Sequence, residues 1–188
     1  MKKALFFLML SGLVLVNAVA QNKLTADTTK SKLSWLAEKV TGQHTGTINL
    51  QSGWINMQDN KIAGGEFNID MNSFKESQRN KRFEDHMRSD DFFSMEKYPL
   101  AKLVLKSSTP FEKGTGVVTG SLTIKDITHP LEFKAAMQKK DDGTWFFANI
   151  LIDRTKYDIR YGSGSFFENL GDKTIFDEFK VRVDLMVK

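Results

Sequence analysis

Between Phe179 and Val187 every second residue is apolar: Phe179, Val181, Val183, Leu185 and Val187 alternate with Lys180, Arg182, Asp184 and Met186. A period of two sends successive side chains to opposite faces, so this stretch predicts a β-strand with one buried face. The same period recurs along most of the chain. Leu33, Trp35 and Ala37 share a face in Lys32 to Ala37, and Ile48 and Leu50 share one in Thr47 to Leu50. A loop is expected between these two, around Gly42 and Gly46. Trp54 to Gln58 and Lys61 to Met71 flank Asp59-Asn60, a tight hairpin signal, and Phe67, Ile69 and Met71 lie together on the second strand. Gly64-Gly65 predicts a bulge or sharp coil within it.

Further on, Ala101, Leu103 and Leu105 alternate with Lys102, Val104 and Lys106, and Gly120, Leu122 and Ile124 share a side of Thr115 to Ile124. A turn at Lys125-Asp126 leads into a strand carrying Leu131, Phe133, Ala135 and Met137 on one face. Asp141-Asp142-Gly143 predicts another hairpin, and Trp145 to Ile152 is apolar on both faces, so one of them needs a cover. Eight or nine short strands separated by turn residues, without repeats, suit a closed antiparallel barrel or a sandwich. A barrel of about eight strands has room for one elongated ligand. The fifteen Phe and eight Met of the full chain offer many large side chains that could equally fill a dry core.

One segment breaks the alternation. Arg79 to Ser89 is mostly charged, with Phe83, His86 and Met87 three and four residues apart, which predicts a helix with one apolar face. Ser89-Asp90-Asp91 reads as an N-cap for a second short turn bearing Phe92 and Phe93. Pro99 then forces Tyr98 into an extended conformation, and a strand starts at Leu100. A helical insert in a β chain is expected to cover something, and a barrel mouth is the simplest candidate.

The first twenty residues read as a cleaved secretory signal: Lys2-Lys3, an apolar run from Ala4 to Val16, and Ala18-Val19-Ala20 before the expected cut. The run is interrupted by Ser11 and Gly12 and falls short of the ~20 residues that a membrane span needs. The expected mature chain, residues 21–188, is a single domain in the periplasm or outside the cell. With no cysteine it must hold by its core alone. The formal charge is +4, and two of those charges are Lys2 and Lys3, so nothing points to nucleic acid.

No catalytic constellation is visible. His44, His86 and His129 are far apart and lack metal-ligand spacing, and the chain has no nucleophile elbow or phosphate-binding loop. Glu84-Asp85 and Asp90-Asp91 read as a solvated helix face and a cap rather than paired acid–base carboxylates. Neither an enzyme activity nor a metal or cofactor is expected. His86 should point inward beside Phe83, where it could meet a polar headgroup or bond to backbone at the helix edge. Arg154, beside Asp153, reads first as half of an ion pair at a strand end.

Four stretches carry a family resemblance: HMRSDDFFSMEKYP (86–99), GSLTIKDITHPLEF (120–133), IDRTKYDIRY (152–161) and the final strand. Together they resemble the YceI family of exported lipid- and polyisoprenoid-binding barrels. The resemblance implies an all-β, elongated, eight-stranded antiparallel lipocalin-like barrel with a helix between strands and a tunnel for an isoprenoid tail. The implied ligand is of quinone or polyprenyl phosphate type. It places the tail against Leu33, Trp35, Ile48 and Leu50; Phe67, Ile69 and Met71; and Phe83, His86, Met87, Phe92 and Phe93. Further along, Leu103, Leu105, Leu122, Ile124, Phe133 and Ala135 continue the lining, with Phe147, Tyr157, Phe166 and Phe167. Candidate headgroup contacts are His86, Arg88 and Arg154. The expected partners are therefore a long-chain isoprenoid lipid, a membrane touched transiently, and a second copy of the chain. Alternatives from other classes are a structural or stress-related interaction protein with a self-filled barrel, and an enzyme acting on the bound lipid. Two positions depart from the family pattern: Asp126 and Asp158 stand where glycine is usual, and Asp is the better non-glycine choice for a left-handed turn. The loop from Tyr161 to Phe176 is expected to be a lid or a partner surface.

Overall fold

A closed barrel forms because most neighbouring strands are consecutive in the chain and pair antiparallel. The computed structural model describes residues 22–188, so the expected signal segment lies outside the described residues. Along the chain come β1 (Asn22–Thr25), β2 (Lys32–Lys39), β3 (Gly42–Gln58), β4 (Lys61–Glu76), α1 (Lys81–Arg88), β5 (Leu100–Ser108) and β6 (Thr115–Ile124). Then follow β7 (Ile127–Lys140), β8 (Gly143–Asp153) and β9 (Ile175–Val187). The sheet runs β1-β3-β2-β9-β8-β7-β6-β5-β4, and pairing of β3 with β4 closes it. β2 pairs with Gly42 to Ile48 of β3, whereas β1 pairs with Trp54 to Met57. The two short strands thus share one row, and the barrel has eight.

The turns obey local chemistry. Asp59-Asn60 and Lys125-Asp126 both have two consecutive positive φ values (48° and 58°; 52° and 59°), as a type I′ hairpin demands. Asp126 and Asp158 (φ 56°) both sit in the left-handed region, so an aspartate serves where the family pattern has glycine. The bulge expected near Gly64-Gly65 is there: the register slips between Asn56–Gly64 and Met57–Ile62.

Three expectations are corrected. Gly42 to Gly46 is not a loop but the first part of β3, a single strand through Gln58. Gly46 lies opposite Trp35, and a Cβ there would sit 2.3 Å from the indole and 1.9 Å from the Lys75 carbonyl oxygen. Its glycine is a packing requirement rather than a break. Gly46→Ala should therefore destabilise the fold by about 1–3 kcal/mol, read as a lower urea midpoint; an unchanged midpoint would remove that explanation. The second correction concerns the Ser89 side chain, which closes α1 instead of capping the next turn; that turn itself forms as expected, with the Ser89 carbonyl accepting from the Phe92 N–H (3.1 Å). The Ser89 hydroxyl donates to the His86 carbonyl (2.8 Å), while the helix N-cap is Asn80, accepting from the Phe83 N–H (3.1 Å). Third, β1 was not anticipated, because its only apolar residue is Leu24 and its pairing is wholly non-local.

β1 is held to the chain's end. Thr25 and Lys188 exchange two backbone hydrogen bonds (2.7 and 3.0 Å), and the Asp27 N–H donates to the Met186 carbonyl. The Asp27 carboxylate accepts from the Thr29 hydroxyl and N–H, the Lys30 N–H and the Lys188 ammonium. These bonds, Thr29 first and Lys188 second, hold its pKa far below the usual carboxylate range. A depressed folded pKa contributes stability that is present above the unfolded value of about 3.9 and is lost as pH falls through the folded one. The thermal midpoint should accordingly fall on acidification below about pH 4, and Asp27→Asn should flatten that fall. An identical acid profile in the variant would assign the loss to other carboxylates.

Inside, two apolar clusters divide the barrel lengthwise. One gathers Trp35, Phe74, Met87 and Phe92 at the α1 end. The other gathers Leu50, Ile55, Phe67 and Phe146 at the far end, where Phe111 meets Phe146 edge-on at 5.5 Å.

Candidate functional site

At the α1 end the side chains do not meet. They leave a cavity of about 350 Å³, within the range of roughly 300–1,000 Å³ typical of small-molecule sites. Deeper in, a second cavity of about 70 Å³ continues the bore. Leu33, Ile69, Leu103, Ile150 and Val183 border both, so these five residues from five strands form the ring between them.

The walls follow from strand alternation and from α1. On one side Trp35 stacks on Phe74 (4.6 Å between ring centroids), and Phe83 of α1 lies against His44 (4.0 Å). Phe93 meets Phe179 edge-on, at 6.3 Å. Ile48, Met71, Met87, Phe92, Leu122 and Ile124 complete the outer cavity as the sequence anticipates. Leu50, Phe67, Leu105, Phe133 and Ala135 border the inner one. α1 is bolted to its neighbours: Arg88 donates to the Asn72 and Phe74 carbonyls (2.9 and 3.0 Å), and Glu84 accepts from the Glu76 N–H (2.8 Å).

Among the described residues, the polar side chains that border the outer cavity are few. His86 stands edge-on to Tyr161 (4.6 Å) and Phe92 (4.9 Å), with its Nε2 3.7 Å from the Asp91 carboxylate. His44 Nδ1 lies 3.3 Å from Glu76, whose side chain is buried. The Asn80 N–H, followed by His44, keeps the Glu76 carboxyl below its usual range against the opposing effect of burial. Glu38 and Lys39 complete this rim.

Arg154 also borders the outer cavity, with only 4% of its surface exposed. Its partner is not Asp153, which caps the 3-10 turn Arg154–Tyr157 by accepting from Thr155 (3.0 Å). Arg154 donates instead to the carbonyls of Ile159 (2.8 Å), Ile175 (3.0 Å) and Phe176 (3.1 Å), and pairs with Asp177 at 3.5 Å. Burial pushes the guanidinium pKa down, and Asp177 opposes it. For Asp177, burial alone would raise the carboxyl; hydrogen bonds from Ser163 and Ser165 and the charge of Arg154 more than offset that and hold it low. Arg154 is thus a post that ties the start of β9 to the turn after β8.

Several anticipated residues lie elsewhere. Arg88 is spent on backbone carbonyls and does not border the cavity. Phe147 is on the outer face, stacked on Trp145 (6.1 Å) beneath the Lys140 ammonium, because Phe146, Ala148 and Ile150 take the inward phase of β8. Lys140 lies over that outer pair, but Leu151 on the same face stays half exposed, so the cover expected for this two-faced stretch is only partial. Tyr157 is buried, but against His129 (5.4 Å) rather than in the bore. Phe166 and Phe167 are about half exposed on the loop after Tyr161, and Arg160 lies over Phe166. Conversely, the bore includes His44, Phe74, Leu131, Ile150, Ile152, Phe179, Val181 and Val183. The alternation of β9 announced the last three, whereas His44 was hidden by the loop expected around Gly42.

Among the described residues no cluster of His, Cys, Asp and Glu could hold a metal, and no helix is long and apolar enough to cross a membrane.

Known proteins resemble both sequence and fold. A family model described as a YceI-like domain matches residues 24–187. UPF0312 proteins of Shewanella denitrificans and Pseudomonas putida are each 28% identical, over 102 and 100 residues; 53% of this chain and 52% of theirs are covered. The chain thus spans about half the length of these curated relatives. Burkholderia cenocepacia BcnA superposes with a TM-score of 0.71 at 22% identity, covering 87% of this chain and 99% of that one. A structure described as a polyisoprenoid binding domain from Saccharophagus degradans, implicated in plant cell wall breakdown, superposes with a TM-score of 0.61 at 15% identity, covering 88% and 97%. At such identities the likeness is one of fold.

Proposed function

The chain belongs to the YceI-like family, and from that premise we propose that it is a binding protein that holds the long apolar tail of a lipid, of isoprenoid type, inside its barrel. The observation that carries this reading is the unfilled bore. Protein interiors pack to crystal-like density, and unfilled apolar volume costs stability. A barrel rich in Phe that still leaves about 350 Å³ open between apolar walls has the shape of a container. The same void weighs against a self-filled structural barrel. The fold neighbour described as polyisoprenoid-binding supports the choice of ligand class. Each buried methylene is worth roughly 0.8 kcal/mol, so the tail supplies most of the affinity and the mouth sets orientation. His86, with His44 across the mouth, is the candidate headgroup contact.

The expected signal segment supports a role in the periplasm or outside the cell, and we read that role as carriage or storage rather than chemistry. Val40, Phe166, Phe167 and Phe176, all about half exposed, would give the mouth end its transient contact with a membrane. The proposal needs only one copy of the chain.

The deciding experiment is mass spectrometry of an organic extract from protein purified without detergent. A long-chain apolar lipid at close to one per protein is the expected result. Protein that comes through gentle purification empty, and takes up no isoprenoid offered to it, would overturn the proposal.

A further inference from the structure

Around the barrel the hydrogen-bonded ladders are uneven. β7 pairs with β6 along its whole first part, from Ile124–Ile127 to Thr115–Ala136. β8 pairs with β9 throughout, from Thr144–Val187 to Asp153–Glu178. Between β7 and β8, however, the ladder runs only from Lys140–Gly143 to Ala135–Ala148 and stops. Towards the α1 end, residues 127–134 of β7 and 149–153 of β8 have a strand-ladder partner on one side only. Pro130 lies in that part of β7, and a residue without an N–H belongs where one edge of a strand is free. The two small residues at the last pair, Ala135 and Ala148, border the inner cavity and also an outer surface groove that includes Lys134, Asn149 and Arg182. Where the strands part, only these two small side chains stand between the inner cavity and the outer groove.

The parted end is closed by side chains instead of backbone. Tyr157 of the 3-10 turn packs edge-on against His129 of β7 at 5.4 Å, and Lys125 donates to the Asp158 carbonyl at 3.1 Å. Moving α1 aside would break the Arg88, Glu84 and Asn80 hydrogen bonds to β4. Parting residues 127–134 of β7 from residues 149–153 of β8 breaks no ladder bond.

We propose that this seam is a lateral portal, through which an apolar chain slips sideways between the bore and its surroundings while Tyr157 and His129 act as the latch. The inference rests on the lipid-binding reading but goes beyond it, since that reading requires a bore and no particular doorway. A side door removes the need to thread a long chain lengthwise past a fixed helix.

The chain has no cysteine, so two can be introduced without background. Continuing the β7–β8 register by one step pairs Lys134 with Asn149, both exposed. Lys134→Cys with Asn149→Cys, joined by oxidation or by a short bis-maleimide, staples the seam. The control staple is Thr119→Cys with Glu132→Cys across the sealed β6–β7 ladder. The readout is the exchange of retinol, an isoprenoid fluorescent in apolar surroundings, with amplitude giving capacity and rate giving access. The seam staple should slow exchange about tenfold or more at unchanged amplitude, as gating steps do, and reductant should restore the rate of the oxidised form. His129→Ala, which removes the latch, should speed it. An unchanged rate in the stapled protein, or equal slowing in the control, overturns the portal while leaving the lipid-binding reading intact. Absence of any retinol signal in the unmodified protein overturns that reading and the portal with it.

Discussion

Arg154→Ala is expected to cost about 3–5 kcal/mol of folding stability, the usual cost of breaking a buried pair from one side. The guanidinium satisfies three backbone carbonyls, those of Ile159, Ile175 and Phe176, and faces Asp177. Its removal orphans the acceptors and leaves the half-buried Asp177 carboxylate with serine hydrogen bonds but no countercharge, each unfavourable in its own right. Arg154→Lys should recover little, since an ammonium cannot reach three carbonyls in the planar arrangement of the guanidinium. Asp177→Asn should cost less than Arg154→Ala, because it keeps the carbonyl bonds. Chemical denaturation of the three variants and the Arg154/Asp177 double variant provides the cycle. A loss below about 1 kcal/mol for Arg154→Ala would place it among ordinary surface ion pairs.

Ala135→Trp is the second large effect, and it falls on ligand and not on fold. Ala135 is 5% exposed and faces the inner cavity, whose volume of about 70 Å³ an indole would fill and overrun towards the ring of Leu33, Ile69, Leu103, Ile150 and Val183. Overpacking costs about 1–3 kcal/mol where a core is full, and less here because the bore is hollow. Co-purifying long-chain lipid should disappear while circular dichroism and cooperative melting persist. A short apolar probe that occupies only the outer cavity should still bind. Undiminished long-chain lipid would show that the tail does not reach Ala135.

How much of this was legible beforehand differs from element to element. β9 was plain, because five apolar residues in strict alternation admit one phase. The Asp59-Asn60 and Lys125-Asp126 hairpins were legible because their backbone conformation is set by the residues themselves. β8 was not: Trp145, Phe146 and Phe147 are consecutive aromatics, so shifting the phase by one residue leaves an equally apolar inner face. The pairing of Ala135 with Ala148 decides that Phe146 faces in and Phe147 out. Gly46 looked like a break because its reason, the ring of Trp35, arrives from another strand. Asp177, the partner of Arg154, lies 23 positions away, beyond any local spacing rule.

The sequence by itself determined an antiparallel β chain with one helical insert, most of the faces that turn inward, and a family resemblance running nearly its whole length. Period and turn chemistry are properties of a few neighbouring residues, so they can be read without the fold. Only the tertiary structure decided that the bore stays open, that β1 completes the row of β2, and that the ladder between β7 and β8 ends at Ala135 and Ala148. Each of these depends on which strands meet when the barrel closes, and closure is set by all eight rows at once.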